Sequence, residues 1–213
     1  MAAGWLELHG WRTRMAAIYR ERDAAVLAGE PQSDSRDRLV QAKNTLFTTH
    51  PQSPLPEEQR STFAGLPYFP YDPAYNVVAE VSPITDDPSA EELANGTLRR
   101  AATLHMQIAQ LPITLTMYWI DVYGGGLFLP FRDATGGIDT YGGGRYLFDT
   151  VKGSTFPELQ HDPSGFLPTR IGLDFNYAYH PSCFYDVRWV CPLALKENWL
   201  TIPITAGERG EIH

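Results

Sequence analysis

Cysteine is nearly absent from this chain of 213 residues: there are two, Cys183 and Cys191, too few for the disulfide framework of a small secreted domain. Positive charge is also short, with 17 Lys and Arg against 25 Asp and Glu and a formal net charge of -8. A protein that grips a phosphate backbone needs a basic stripe, so nucleic acid is not an expected partner. No apolar run reaches the length that spans a bilayer, and no membrane association is expected. The first residues have neither a basic n-region nor an unbroken apolar h-region, so no signal peptide is read there. The cytoplasm is the expected compartment, where both thiols are reduced unless they serve redox or metal chemistry. Missing as well are a Walker loop, a Rossmann fingerprint and a Gly-x-Ser-x-Gly elbow.

What the chain has in quantity is proline (17), glycine (18) and aromatic side chains (12%), a mix that goes with short strands joined by tight turns. Hydrophobic residues at 43% and charged ones at 20% supply a core and rule out wholesale disorder. Without repeats, low-complexity tracts or a strong linker, 1–213 reads as a single domain, helical over 1–66 and β over 67–213. Leu8, Trp11, Met15 and Ile18 recur at helical steps and predict a helix over 5–28, ended by Gly29 and Pro31. A second helix, capped by Ser33 or Ser35, carries Leu39, Ala42 and Leu46 and stops at His50 and Pro51; a short third one starts near Pro54. Each has one apolar stripe, so the helices are expected to cover something else. Arg12, Arg14, Arg20 and Arg22, mixed with Glu21 and Asp23, read as a solvated helix face.

Beyond residue 66 the period changes to two. After the aromatic crossing 66–71, a strand is expected over 75–81, then an exposed acidic loop over 82–96 with Asp86, Asp87, Glu91 and Glu92. Leu104, Met106 and Ile108 alternate with polar neighbours, as do Ile113, Leu115, Met117 and Trp119, with 110–112 as the turn between them. Further strands are expected over 127–132, 145–149, 171–175 and 200–205, and 152–169 reads as irregular. The fold class is therefore mainly β (α+β): a curled antiparallel sheet, barrel-like or a sandwich, with N-terminal helices packed on it.

The chemical focus is 132–146. Gly136 with Gly137, and Gly142 with Gly143 and Gly144, free the backbone for positive φ or close approach, and such loops can gather N–H groups into an anion-attracting hollow. Arg145 follows with a planar fork suited to a carboxylate or phosphate. Asp133, Thr140, Tyr141, Arg145, Asp174, Asn176 and Tyr179 fall at strand ends or in adjoining loops, so a curling sheet could bring them to one rim. Read functionally, Arg145 and the amides of Gly143 and Gly144 hold an anionic group, Asn176 and Tyr141 orient it, and Asp174 is a base or a prop for Arg145. Read structurally, Arg145 pairs with Asp133, Asp139 or Asp174, and Asn176 caps loop carbonyls.

His180, Cys183 and Cys191 form His-x2-Cys-x7-Cys, with Glu197 as a conceivable fourth ligand. No Cys-x-x-Cys is present, so no metal is assigned; two thiols packed as small hydrophobes beneath the loop, within reach of a disulfide, fit the spacing better. His180 is close to Cys183 in sequence, but the intervening Pro181 holds the chain extended and argues against a base beside a nucleophile. His161, beside Asp162 and Pro163, is expected to be exposed.

Taken together, residues 63–69, the Asp-Ala-Thr at 133–135, 140–146, Asp174 with Phe175 and Asn176, Ala178 with Tyr179, Cys183, Cys191 with Pro192 and Leu193, Glu197 with Asn198, and 206–208 resemble the bacterial and archaeal family known as domain of unknown function 1684. The resemblance runs from the first helix to Glu208 and implies membership but no reaction, because the family has no established one. Where members usually read Tyr-Asn-Pro-Pro-Cys, this chain has Tyr179, His180, Pro181, Ser182 and Cys183. After Leu193 it has Ala-Leu-Lys where prolines are common. If that asparagine contacts a ligand, His180 alters the contact here.

The sequence thus points to a β-barrel-like domain that binds a small polar or anionic molecule at a glycine-rich rim, with no cofactor. One alternative is a hydrolase or lyase using Asp174 and Arg145. Another is an interaction module presenting Tyr68, Phe69 and Tyr71 to a partner chain.

Overall fold

The helical stripes fold as read, and they bury more charge than the sequence suggested. The computed structural model describes residues 2–85, 91–93 and 96–210. Helix α1 spans Ala2–Leu27, α2 Gln32–Thr49 and the short α3 Glu57–Arg60. Ser33 and Ser35 lie inside α2, which starts after Pro31 with no side-chain cap; proline needs no N–H at that point, so the expected serine cap is not used. Met15 and Tyr19 of α1 pack with Leu39 and Leu46 of α2 against Tyr177. Arg22, expected on a solvated face, is instead buried, its guanidinium 5.2 Å from the Tyr19 ring centroid and 4.8 Å from that of Tyr177. It also donates to the Thr155 carbonyl, so the planar cation serves as an apolar wedge with a polar edge.

Among the described residues eight strands follow: β1 Asn76–Pro83, β2 Glu91–Leu93, β3 Gly96–Ile108, β4 Leu111–Asp121, β5 Gly126–Phe131, β6 Arg145–Asp149, β7 Glu158–His161 and β8 Pro168–Asp174. They form one antiparallel sheet in the order β6-β5-β4-β3-β1-β8-β7, with β2 attached to β3, curled into a half-barrel on which α1 and α2 pack. The acidic loop expected over 82–96 thus contains a short strand, while Asp86 and Asp87 lie outside the described residues. β7 falls within the stretch read as irregular, and its side chains are exposed. The free edge of β6 is closed by two hydrogen bonds exchanged between Tyr146 and Tyr179, at 2.9 and 3.0 Å.

The inner face carries the expected alternation: Leu104, Met106 and Ile108 of β3 face Leu115 and Met117 of β4, packed with Leu129, Phe131, Phe148 and Leu173. Each fully buried Leu or Phe there contributes about 1.5–3 kcal/mol. A bulge between Arg100 and Ala102 then turns β3 over, so Leu98 joins Tyr118, Phe128 and Tyr146 in a second cluster on the opposite face. Trp119, expected in the core, is beyond its end and 41% exposed, whereas its neighbour Tyr118 is buried. The β3–β4 turn lies at Ala109 and Gln110, one step earlier than the sequence indicated, and both residues have positive φ (50° and 64°). This is the geometry a two-residue hairpin demands, met here without glycine.

Residues 200–205, expected as a strand, join no strand of the sheet. The 132–134 backbone bonds Leu200 N and the Ile202 carbonyl instead, and side chains serve residues 204–208, as described below.

Left-handed backbone costs a non-glycine residue about 1–2 kcal/mol. Gln110→Gly is therefore expected to stabilise the protein by about 1 kcal/mol, read as a higher urea midpoint at unchanged slope.

Candidate functional site

Strand β6 begins at Arg145, and its first side chain is the most deeply buried charge in the core: Arg145 is 0% exposed. Of the five N–H groups of a guanidinium, four are used: Nη2 donates to Asp133 Oδ2 at 2.9 Å and to the Ile204 carbonyl at 2.8 Å, and Nη1 to the carbonyls of Ala206 and Glu208. Asp133 is equally committed, because its Oδ1 accepts from Thr135 N, Thr135 Oγ1 and Ile204 N. The expected pairing of Arg145 with Asp174 is not made. Burial pulls the guanidinium pKa down and Asp133 opposes the shift. Gly144 makes the approach possible: its φ is +94°, and a Cβ there would sit 2.5 Å from the Phe131 carbonyl oxygen. At Gly143 a Cβ would strike the Tyr141 ring at 2.4 Å.

The glycine-rich loop spends its donors on itself. The Thr135 carbonyl accepts from the N–H groups of Ile138, Asp139 and Thr140, Gly137 N donates to Thr140 O, and Thr140 Oγ1 meets Thr135 Oγ1 at 2.9 Å. The N–H groups of Gly137, Ile138, Asp139 and Thr140 are thus spent inside the loop. Asp174 and Asn176 form a separate cluster: Asp174 Oδ1 accepts from Asn176 N and Nδ2, its Oδ2 accepts from Tyr71 OH at 3.2 Å, and Asn176 clasps both N and O of Asp72. Burial raises the Asp174 pKa against those hydrogen bonds. Tyr68, Phe69 and Tyr71, expected to face a partner, turn inward: Phe69 is buried, and the two hydroxyls bond Lys43 and Asp174.

The groups that do gather beside a cavity are others. Glu208, held by Arg145 through its carbonyl, points its carboxylate under the helices, where Lys43 of α2 lies 3.5 Å from Oε2 and also donates to Tyr68 OH at 3.1 Å. His180 closes the other side, its Nδ1 3.4 Å from Glu208 Oε1. All three are nearly or fully buried. The Tyr141 N–H donates to His180 Nε2 at 3.2 Å, which requires a lone pair on that nitrogen; the ring is therefore neutral, with its proton on Nδ1 facing Glu208. Burial lowers the pKa of both Lys43 and His180. Burial alone would raise the Glu208 carboxyl, but Lys43 and His180 overcome it and hold it below the usual value. The Lys43 ammonium also lies 5.0 Å from the Tyr179 ring centroid, and Tyr179 OH meets Ser154 Oγ at 2.7 Å.

Beside Lys43 and His180 a cavity of about 50 Å³ opens between α1, α2 and the segments 152–154 and 179–185. Trp11, Met15 and Phe47 form its apolar walls; Lys43, Ser154, Tyr179 and His180 line its polar side, with Lys152 and Ser182 beside them. Of the residues singled out in the sequence, Tyr179 and His180 border the cavity, and Tyr141 braces His180 from behind. Lys43 was missed, although a signal existed: Arg36, Leu39, Lys43 and Leu46 share the buried stripe of α2, so a lysine occupies a core position. Among the described residues, no group of three His, Cys, Asp or Glu side chains could hold a metal ion, and no helix is long and apolar enough to cross a membrane.

Two expectations follow. Asp133→Ala strands a buried guanidinium and should cost about 3–5 kcal/mol in urea unfolding. Because His180 resists protonation when folded, the unfolded chain alone takes up that proton below about pH 6.5, its ordinary value; stability should fall as the pH drops through 6. His50 is shifted in the same direction by burial and Arg14, so His180→Asn should lessen this slope without abolishing it. A pH series of urea midpoints checks both halves.

The comparisons agree with this architecture. A family model described as "Protein of unknown function (DUF1684)" matches residues 61–209. The solution NMR structure of an uncharacterized protein from Haloarcula marismortui is 33% identical, with a TM-score of 0.58, covering 80% of this chain and 90% of that one. A search of curated proteins finds no match. With the family match running from the end of α3 through Glu208, this chain belongs to the DUF1684 family.

Proposed function

We propose that the protein binds a small polar or anionic molecule in the cavity between α1, α2 and the segments 152–154 and 179–185. The observation that carries this reading is the cavity's floor. Lys43 and His180 line it together with Tyr185; the Tyr185 hydroxyl is buried without a hydrogen-bond partner, and the Lys43 ammonium makes two hydrogen bonds with three N–H groups. Buried polar atoms without partners are uncommon and costly, and a bound polar group would satisfy them. Trp11, Met15 and Phe47 suit a compact apolar body, while Lys152, its side chain 42% exposed, suits a carboxylate or phosphate at the mouth. The volume sets a limit: about 50 Å³ holds roughly three to five waters at about 10–15 Å³ each, so the enclosed part of the ligand is a few heavy atoms. In this reading Tyr179 is a contact residue and Arg145, with Asp133, holds the Glu208 segment in place.

A thermal-shift panel of acetate, benzoate and inorganic phosphate, followed by Trp11 fluorescence, tests the reading. A ligand at about a hundred times its Kd stabilises the folded state by about 2.7 kcal/mol, which for a chain of this length is roughly 5–10 °C in Tm. Lys43→Met, which keeps the stem and removes the charge, should abolish the shift in protein whose circular dichroism is unchanged. A flat panel with silent Trp11 emission, or a shift that survives Lys43→Met, would defeat the reading.

A further inference from the structure

The sheet is split between its central strands. β1 and β3 pair only from Pro83↔Ala102 to Glu80↔His105. Each then continues without the other, β1 in register with β8 from Ala79 back to Asn76, and β3 in register with β4 from Met106 to Ile108. The two strand pairs part like a fork, and a cleft of about 530 Å³ lies in it, with Val77 and Val78 on one side and Met106 and Gln107 on the other. Sites for small ligands commonly measure about 300–1,000 Å³. The cleft shares no lining residue with the cavity beside Lys43.

Strand register tells which backbone groups the cleft exposes. Gly172 N donates to the Pro157 carbonyl, on the side away from β1, so Gly172 and Val78, which stand opposite each other, exchange no hydrogen bond. Val78 thus turns its own N–H and C=O away from β8 and into the cleft. Across it, Ile108 and Leu111 flank the two-residue turn at Ala109 and Gln110 and close it as a hydrogen-bonded pair. In the next pair, Gln107 and Pro112, the backbone groups point away from each other, which suits a proline without an N–H. Gln107 therefore also turns its N–H and C=O into the cleft. Two strand edges face each other inside one sheet, and such edges are templates for another chain.

We propose that this cleft receives an extended peptide, which adds a strand to the sheet by pairing its main chain with Val78 and Gln107. Side chains alternate along such a strand, so an inward one rests on Val77 and Met106, at the margin of the core. That position asks for an apolar residue. An outward one stands beside Glu80 and Arg170, which are opposite in charge and opposite in register, so it takes a polar residue without selecting one sign. Recognition is thus mainly of the peptide backbone.

Amide hydrogen exchange, followed by NMR on the whole protein, reads the open edges directly. In the free protein the Val78 and Gln107 amides should exchange at least about tenfold faster than those of Val77, Ala79 and Met106, which the neighbouring ladders hold. The probe is an end-blocked, fluorescein-labelled hexapeptide of alternating valine and threonine. It should bind saturably and slow exchange at Val78 and Gln107. Versions N-methylated on alternate residues, in either phase, keep the side chains and lose donors, and should bind about tenfold more weakly. Val78→Pro removes the cleft-facing N–H and leaves β8 its hydrogen bonds, with a similar loss expected; Gln107→Pro does the same from β3 if the first variant does not fold. Val78 and Gln107 amides already protected in the free protein, a hexapeptide that does not bind, N-methylated peptides that bind equally well, or a dimer that Val78→Pro dissolves, which would make a second copy the occupant, would each overturn the proposal.

Discussion

The fold closes on a charge pair. Arg145 and Asp133 do for residues 204–208 what a neighbouring strand would do: the guanidinium donates to the carbonyls of Ile204, Ala206 and Glu208, at alternate positions along the chain, and the carboxylate accepts from the Ile204 N–H. Only a side chain with several donors in one plane can serve successive carbonyls in this way. Burying the pair is tolerable because nearly all of its hydrogen-bonding capacity is spent on protein partners. The glycines follow from the same demand, since Gly144 lets β6 run against the Phe131 carbonyl and bring Arg145 into position. So does Gly207: its φ is +79°, and a Cβ there would meet the Phe175 carbonyl oxygen at 2.6 Å.

The same device recurs with amides. Asn198, fully buried, accepts from Thr116 N and donates to the carbonyls of Thr116 and Pro130, bridging β4 and β5 where the register between those strands has ended. Asn176 clasps Asp72 N and O, and Asn44 accepts from Leu66 N. Each imitates a peptide group and satisfies backbone that the sheet does not reach, which a buried loop requires. The Lys43–Glu208–His180 cluster is then a by-product with consequences: the clamp on residues 204–208 carries Glu208 under α2, where a lysine in the helix's core stripe meets it. What sets that corner apart from the other polar networks is that Lys43 and His180 border a cavity.

Sheet and helices were legible because they are periodic. The stripes of Met15, Leu39 and Leu46 and the alternation of Leu104, Met106, Leu115 and Met117 are local patterns that the core simply uses. The run at 200–205 was misread because a chain held by a loop backbone at 132–134 and by side chains carries the same apolar signature as one paired in the sheet. Arg22 and Lys43 were unreadable as buried cations from charge alone, since burial depends on Tyr19, Tyr177 and Glu208 supplied from distant parts of the chain. The polar residues flagged around the glycine-rich loop were real clusters, but sequence distance could not tell that they divide into two, one about Asp133 and Arg145 and one about Asp174 and Asn176.

The mode of holding residues 204–208 bears on what the chain can change without harm. Recognition there runs through main-chain carbonyls that every amino acid supplies, while Thr201, Pro203 and Thr205 are exposed. Those outward positions are open to substitution in a way that a laddered strand, with neighbours on both sides, is not. In that respect the C-terminal stretch sits in the half-barrel as a peptide sits in a receptor groove: gripped by its backbone, anchored by Ile204 and Ala206, and open at Thr201 and Pro203, while Thr205 keeps a hydrogen bond to the Tyr75 hydroxyl.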